Sequence, residues 1–514
     1  MLPLAIQETS KAYMTQIIKF FLLFVCFASL SSANAQTPVP STLIINAQLA
    51  DGTGKPLKKL NLRFAGERII KIGKLSPLPG ETVIDAKGLV LAPGFIDIHN
   101  HSIEGLDEDP LAESQISQGL TTIIEGPDGG SPWPIAEWIA ARKKNPASLN
   151  VATMFGHATI RSLVMGEDFR RVATPAEIQK MVALSEQAMD AGALGISTGL
   201  EYDVASYGST EEVIAMSKVA AAHHGFYMTH VRDEGNKSFS ALEEEIKIGE
   251  TAKISVEHSH IKVSTQAVWG QAPEYIKIIN AARQHGLDFL ADCYPYDAWH
   301  SNIKVIMPDK QYENPVSVEK ALTDTGGPDS VTITAFSPNP AYVGKNIAEL
   351  AKQYNLSPVD MYIRIIREGD AQKTEAEVIG KSMIEPDIKA FYQQPWVMVA
   401  SDGGIGSEHP RGAGTFPRVL GLYVREKHWL TLPMAVHKMT GLPARRLGWT
   451  DRGLLKEGAI ADLVLFNPDT VIDHATFAKP HELSTGIEKV FVNGSLVWSG
   501  NKPTGAKPGQ VLTN

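Results

Sequence analysis

The chain has the length and composition of an ordinary globular protein with one large core or two smaller ones. It contains 514 residues, of which 43% are hydrophobic and 20% charged, with 43 Gly and 31 Pro. These values exclude collagen-like and low-complexity chains. A formal net charge of −9, without any Lys/Arg-rich run, argues against a nucleic-acid-binding protein. Two cysteines exclude a framework of disulfides.

The first 35 residues have the pattern of a secretory signal peptide. Lys19 precedes a short apolar run at 20–28, and the small-residue step Ala33-Asn34-Ala35 follows it. The run is too short to span a membrane comfortably, and a buried N-terminal helix is the alternative. We expect cleavage near Ala35 and an exported protein, periplasmic or secreted, with no stable membrane anchor after the signal is removed.

Both ends of the remaining chain predict short strands. Residues 42–92 alternate apolar and polar residues between turns, which indicates antiparallel strands near 41–45, 60–64 and 68–72. The segment 434–510 shows the same alternation of apolar and polar residues, and Asn493-Gly494 is typical of a two-residue hairpin turn. We expect one small β-sandwich domain built from both termini, with a last barrel helix at the start of 434–510.

The middle of the chain, 93–433, alternates apolar runs with helical patterns, as at 175–191, 210–224 and 266–285. Such strand–helix units predict a closed (β/α)8 barrel of the α/β class, with an open doubly wound sheet as the alternative. The stretch 301–395 is too long for one crossover and is predicted to be an inserted segment. The predicted barrel strands are 95–99, 120–125, 150–157, 193–199, 225–230, 254–260, 286–294 and 396–402.

Histidines lie at the carboxyl ends of three predicted strands, the face on which barrel enzymes carry their sites. His99 and His101 follow the first strand, and strand alternation places both imidazoles on one side. His230 ends the fifth strand. His260 ends the sixth, and His258, two residues earlier on the same face, is its rival. Together these side chains predict a metal centre.

Carboxylates lie at two further strand ends. Asp402 ends the eighth strand, and a buried acid among histidines is costly unless it is paired, neutralised or bound to a metal. Glu125 and Asp128 compete for a similar role after the second strand, although Pro127-Asp128-Gly129 is also an ordinary turn. Imidazole and carboxylate donors suit zinc, with manganese or iron as alternatives. Asp402 is then placed to take up and return a proton.

Basic and hydroxyl side chains near these strand ends predict an anion-binding site. Lys262 follows His260, Tyr294 ends the seventh strand, Arg411 lies just beyond Asp402, and Arg232 follows His230. A forked guanidinium with an ammonium and a phenol suits a carboxylate group.

Several longer motifs resemble a known family. The opening segment 93–101 (PGFIDIHNH) is similar to that of the amidohydrolase superfamily. The segments 192–202 (GALGISTGLEY), 229–232 (THVR), 259–262 (SHIK) and 409–418 (HPRGAGTFPR) resemble its N-acyl-D-amino-acid deacylase, or D-aminoacylase, branch. The resemblance extends from about residue 42 to 510.

The resemblance implies a distorted barrel with a small β-domain, an inserted lid and one or two zinc ions. By the same resemblance Lys262, Tyr294 and Arg411 hold the substrate. The family's usual Asn-Cys-Gly step reads Pro127-Asp128-Gly129 here, so Asp128, or else Glu125, replaces a cysteine ligand. The other metal ligands implied are His99, His101, His230, His260 and Asp402.

The predicted function is zinc-dependent hydrolysis of N-acyl-D-amino acids, with Asp402 as the catalytic proton shuttle. The preference for the D configuration comes from the resemblance alone. The predicted partner is a small N-acyl amino acid rather than nucleic acid. One alternative is a cyclic-amide hydrolase or a dipeptidase for D- or iso-linked residues, and another is a non-catalytic metal-binding scaffold.

Overall fold

Eight parallel strands form the predicted barrel in a computed structural model that describes residues 40–514. The predicted signal peptide therefore lies outside the described residues. The third strand is interrupted at Met154, and hydrogen bonds pair its two parts with different neighbours. The strands are Phe95–Asp97, Leu120–Glu125, Asn150–Thr153 with Phe155–Gly156, Gly195–Gly199, Phe226–His230, Ser255–His258, Phe289–Cys293 and Val397–Val399.

The barrel closes between its first and last strands. The Asp402 N–H donates to the His99 carbonyl at 3.0 Å, and the His101 N–H donates to the Gly403 carbonyl at 2.7 Å. The Asp97 carboxylate reinforces this seam by accepting hydrogen bonds from the backbone and hydroxyl of Ser401. Closure places the ends of these two strands, and the side chains that follow them, at one point of the rim. The predicted closed barrel is thus confirmed over the open sheet.

Helices cover the outside of the barrel, and two of them begin at a side-chain cap. Thr174 and Glu177 form a capping box at the helix that starts with Pro175, and Ser209 caps the next helix. The helices between and after the strands are Gly105–Glu108, Glu113–Ile116, Ile135–Lys144, His157–Met165, Pro175–Asp190, Thr210–Ala222, Ser238–Ala252, Ala272–Gln284, Glu385–Tyr392, Arg411–Arg418 with its π-helical continuation Val419–Glu426, Leu432–Met439 and Gly441–Arg446.

Strands from both ends of the chain form one mixed sheet, called the terminal sheet here. Asn493 and Gly494 both have positive φ (48° and 76°), as the predicted hairpin turn requires. Lys58–Ala65 and Arg68–Gly73 pair antiparallel as predicted, whereas Ser41–Leu49 also pairs in parallel with Thr82–Asp85 and Val90–Pro93, which makes the sheet mixed. The remaining strands are Lys58–Ala65, Arg68–Gly73, Leu463–Phe466, Ile487–Val492 and Ser495–Ser499.

The insertion after the seventh barrel strand has a hydrophobic core of its own, formed by residues between Ile303 and Val378. It was predicted to reach residue 395, but the helix Glu385–Tyr392 buries its apolar side chains in the barrel core instead. Its elements are the strands Trp299–Asn302, Val331–Ala335 and Glu377–Gly380 and the helices Pro315–Asp324, Ile347–Tyr354 and Pro358–Ala371. Among residues 40–514, no helix is both long and apolar enough to cross a membrane.

Candidate metal centre and active site

A first cluster of possible metal ligands lies at the seam of the barrel. It consists of His99, His101, Asp128 and Asp402, whose donor atoms lie within 4.8 Å of one another. The Nε2 atoms of the two histidines lie 3.3 and 3.2 Å from Asp402 Oδ1, and both lie 3.4 Å from Asp128 Oδ2. His99 is fully buried, whereas 42% of the His101 side chain is exposed. One cation could therefore contact all four side chains.

A second cluster adjoins the first and shares Asp128 with it. Its members are Asp128, His230 and His260. Asp128 Oδ1 lies 3.6 Å from His260 Nε2, and His230 Nδ1 lies 3.1 Å from the same nitrogen. The two carboxylate oxygens of Asp128 thus face different groups of histidines, a geometry that suits two neighbouring metal positions with a bridging carboxylate.

The backbone at three of these residues adopts the left-handed region. The φ angles are 55° at Asp128, 35° at His260 and 50° at Asp402. Such a conformation costs about 1–2 kcal/mol for a residue with a side chain and persists where the surrounding structure enforces it. The turn at Asp128 packs closely against the fourth barrel strand. A Cβ added at the next residue, Gly129, would lie only 2.9 Å from the Gly199 nitrogen. The left-handed turns point the side chains of Asp128, His260 and Asp402 over the barrel mouth.

Three carboxylates that the sequence analysis did not select lie behind the histidines. Glu201 Oε2 lies 2.8 Å from His230 Nε2, and Glu234 Oε1 lies 3.0 Å from His260 Nδ1. Asp292 Oδ2 lies 3.5 Å from His99 Nδ1. A carboxylate hydrogen-bonded to one ring nitrogen, as Glu201 is to His230, orients a metal-ligating histidine and sets its tautomer. The sequence carried a signal for one of them, since Asp292 interrupts the otherwise apolar run of the seventh strand.

The charges of the two clusters favour a cation between the carboxylates. Burial lowers the pKa of His101, but Asp128 and Asp402 raise it by more, to about 9. Burial raises the pKa of Asp402, yet Arg411 and the histidines bring it well below its usual range. Both ring nitrogens of His99 are buried and make no hydrogen bond within residues 40–514. Ionised carboxylates beside unpaired imidazole nitrogens are the donor set that a divalent metal ion binds.

Three side chains considered for the site lie elsewhere. His258 Nδ1 pairs with Glu245 at 2.6 Å, on the helix side of its strand, so His260 is the histidine that enters the clusters. Glu125 accepts hydrogen bonds from the Ser102 N–H, and burial raises its pKa to about 8. Arg232 is held by Glu244 and by backbone carbonyls. Asp128, not Glu125, is the carboxylate from the second strand that faces the histidines.

A cavity of about 490 Å³ opens above the clusters, between the barrel mouth and the insertion. Arg411 and Lys262 line it. Arg411 Nη1 donates to Asp402 Oδ2 at 2.6 Å, and Lys262 Nζ donates to Glu234 Oε1 at 2.6 Å. Tyr294 lies beneath both cations, with its ring centroid 4.9 Å from the Arg411 guanidinium carbon and 5.7 Å from Lys262 Nζ. Three of the four residues predicted to hold an anion, Lys262, Tyr294 and Arg411, are therefore neighbours beside the metal clusters, and Arg232 is not among them.

A closed (β/α)8 barrel with histidines and carboxylates converging at its carboxyl-terminal mouth is the architecture of a metal-dependent barrel enzyme. The model of the amidohydrolase family matches residues 82–498. This chain belongs to the amidohydrolase family, as its motifs predicted.

Individual relatives show which members of the family this chain is similar to. The chain is 37% identical to the D-aminoacylase of Alcaligenes xylosoxydans xylosoxydans over 91% of its length and 97% of that protein. It is 35% identical to the N-acyl-D-aspartate deacylase of the same organism, over 91% and 94%. The solved N-acyl-D-glutamate deacylase of Bordetella bronchiseptica, complexed with zinc and a phosphonate inhibitor that mimics the tetrahedral intermediate, aligns with a TM-score of 0.83, 33% identity and coverage of 92% and 99%.

Proposed function

We propose that this protein hydrolyses the amide bond of N-acyl-D-amino acids and releases a carboxylic acid and a D-amino acid. The observation that carries the proposal is the convergence of two metal-type clusters and a buried arginine in one cavity. The D configuration is proposed from the relatives, which act on D-amino acid derivatives by name.

We propose zinc as the metal, in one or two ions. His99, His101, Asp128 and Asp402 would hold one, and Asp128, His230 and His260 would hold the other. A divalent ion held here supplies Lewis acidity, which polarises the acyl carbonyl and makes water acidic enough to attack at neutral pH. The proposal of zinc is supported by the imidazole-rich donor set and by the zinc complex of the Bordetella bronchiseptica relative.

Asp402 is the proposed proton carrier of the reaction. Its Oδ2 is held by Arg411, which leaves Oδ1 directed toward the Nε2 atoms of His99 and His101. Because Asp402 is ionised at neutral pH, it can accept a proton as water attacks and return it to the leaving nitrogen. Proton transfer to that nitrogen allows the C–N bond to break with an amine, rather than an amide anion, as the leaving group.

The substrate carboxylate is proposed to bind at Arg411, Tyr294 and Lys262. Arg411 Nε and the Tyr294 hydroxyl are buried and make no hydrogen bond to any described residue. Buried donors of this kind are costly unless a ligand satisfies them. An α-carboxylate that reaches both donors would fix the substrate with its acyl group toward the metal clusters, and a guanidinium suits a carboxylate geometrically.

A substrate comparison tests the proposal. The zinc-loaded protein lacking residues 1–35 is expected to hydrolyse N-acetyl-D-methionine and N-acetyl-D-leucine, measured by the release of free amino groups. The L-enantiomers serve as matched controls that differ only in configuration, and hydantoins and D-dipeptides test the other hydrolase classes. Hydrolysis of hydantoins or dipeptides without any cleavage of N-acetyl-D-amino acids would contradict this function.

We also propose that the protein is exported, on the basis of the signal-like segment 1–35. Export is expected to yield a mature chain that begins just after Ala35. N-terminal sequencing of protein from the periplasm or the medium checks this, and a chain that keeps residues 1–35 in the cytoplasm would refute it.

A further inference from the structure

The cavity is poor in positive charge that a second substrate carboxylate could use. Among the described residues that line it, the lysine and the arginine are Lys262 and Arg411, and each is already bonded to a carboxylate, Glu234 and Asp402 respectively. Every N-acyl amino acid brings one α-carboxylate, which the proposed function assigns to this same pair. An acidic side chain would therefore find no further lysine or arginine among the described residues that line the cavity.

His300 does not supply the missing charge. Its Nε2 lies 3.0 Å from the Thr334 hydroxyl, and its carbonyl accepts a hydrogen bond from Arg411 Nη2 at 3.4 Å. Burial, and then the charge of Arg411, lower the pKa of His300 to about 4, so that the ring is neutral at pH 7. The remaining histidines of the cavity wall, His101, His230 and His260, belong to the metal clusters.

The insertion adds negative charge to the same wall. Glu377 lines the cavity with its Oε2 4.0 Å from His300 Nε2. Asp324 also lines it, but its charge is already paired with Lys320, and it accepts a hydrogen bond from Asn236 at 2.7 Å. His300 thus bonds to Arg411 through its carbonyl and lies beside Glu377. A substrate anchored at Arg411 would extend its side chain toward a wall on which the Glu377 carboxylate repels a further carboxylate.

We infer that the enzyme selects N-acyl-D-amino acids with neutral or cationic side chains and discriminates against D-glutamate and D-aspartate derivatives. Glu377 is the specificity-determining residue in this inference, which rests on the proposed function. The inferred selectivity differs from that of two relatives, which act on N-acyl-D-aspartate and N-acyl-D-glutamate by name. Discrimination of this kind comes from the repulsive element as much as from attractive contacts.

Isosteric substrates isolate the effect of charge. N-acetyl-D-glutamine and N-acetyl-D-glutamate have the same shape, and we expect kcat/KM to be at least about tenfold higher for the glutamine derivative. In Glu377→Gln this ratio is expected to fall by at least about threefold, because one repelling charge is removed. Glu319→Gln is the matched control: Glu319 lies on the exposed surface of the insertion, away from the cavity, so the ratio should stay that of the native protein.

The outcomes separate the inference from the proposed function. Equal or faster hydrolysis of N-acetyl-D-glutamate, with N-acetyl-D-glutamine also cleaved, would overturn the inference and leave the function intact. An unchanged ratio in Glu377→Gln would overturn the role of Glu377. Failure to cleave any N-acetyl-D-amino acid would overturn both the function and the inference.

Discussion

Replacement of Asp402 by asparagine is expected to lower kcat for N-acetyl-D-methionine by about 10²–10⁴-fold, the usual contribution of a positioned proton-transfer group. Asparagine keeps the size of the side chain and an oxygen that can accept the hydrogen bond from Arg411 Nη1. It cannot take up a proton from water, nor return one to the leaving nitrogen. Steady-state kinetics on the zinc-loaded variant, with metal analysis of the same sample, measures the loss.

The control for this variant is Asp462→Asn. Asp462 is also a buried aspartate paired with an arginine, Arg452, but it lies next to the terminal sheet rather than at the barrel mouth. The folded fraction of Asp462→Asn should keep its kcat, even if its melting temperature falls. An Asp402→Asn protein with native metal content and a kcat within tenfold of the native value would refute Asp402 as the proton carrier.

Replacement of Asp128 by alanine is expected to weaken metal binding in both clusters at once. Its two oxygens face His99 and His101 on one side and His260 on the other, so one substitution removes a ligand from each group. We expect the dissociation constant for zinc to rise by at least about 100-fold. Loss of a residue that only supports a metal ligand already weakens metal binding by up to about 100-fold, and Asp128 is itself a proposed ligand. Competition with a chromogenic chelator measures this without reference to activity.

Two further variants sharpen this test. Asp128→Cys replaces the carboxylate by the softer thiolate and is expected to restore zinc binding while disfavouring manganese. Glu125→Gln is the matched control, because Glu125 is a buried carboxylate from the same strand end that bonds to Ser102 instead. If Glu125→Gln lost zinc and Asp128→Ala kept it, Asp128 would not be the bridging ligand.

The pair His258 and His260 could not be resolved from the sequence. His258 and His260 are two residues apart, and strand alternation gives them the same face. The strand ends at His258, however, and the left-handed backbone at His260 turns that side chain into the cavity, while His258 pairs with Glu245 of a covering helix. After a strand ends, the direction of a side chain depends on the loop conformation. Hydrophobic periodicity does not predict that conformation.

The end of the insertion and the supporting carboxylates have a similar explanation. Residues 385–392 read as part of the long interruption, but their apolar side chains find burial in the barrel core. Glu201 and Glu234 lie in loops after the strands, where acidic residues are ordinarily solvated. They became part of the site only because the loops of neighbouring strands meet above the barrel.

The amino-acid sequence by itself determined the eight strand–helix units, the family, and the histidines and Asp402 at the strand ends, because hydrophobic periodicity and short motifs are local properties of the chain. Tertiary structure alone decided that Asp128 rather than Glu125 faces the histidines, that Arg232 turns away, and which carboxylates lie behind the imidazoles. Those choices follow from the closure of the barrel, which brings together loops far apart in sequence and sets the direction of each side chain at their common rim.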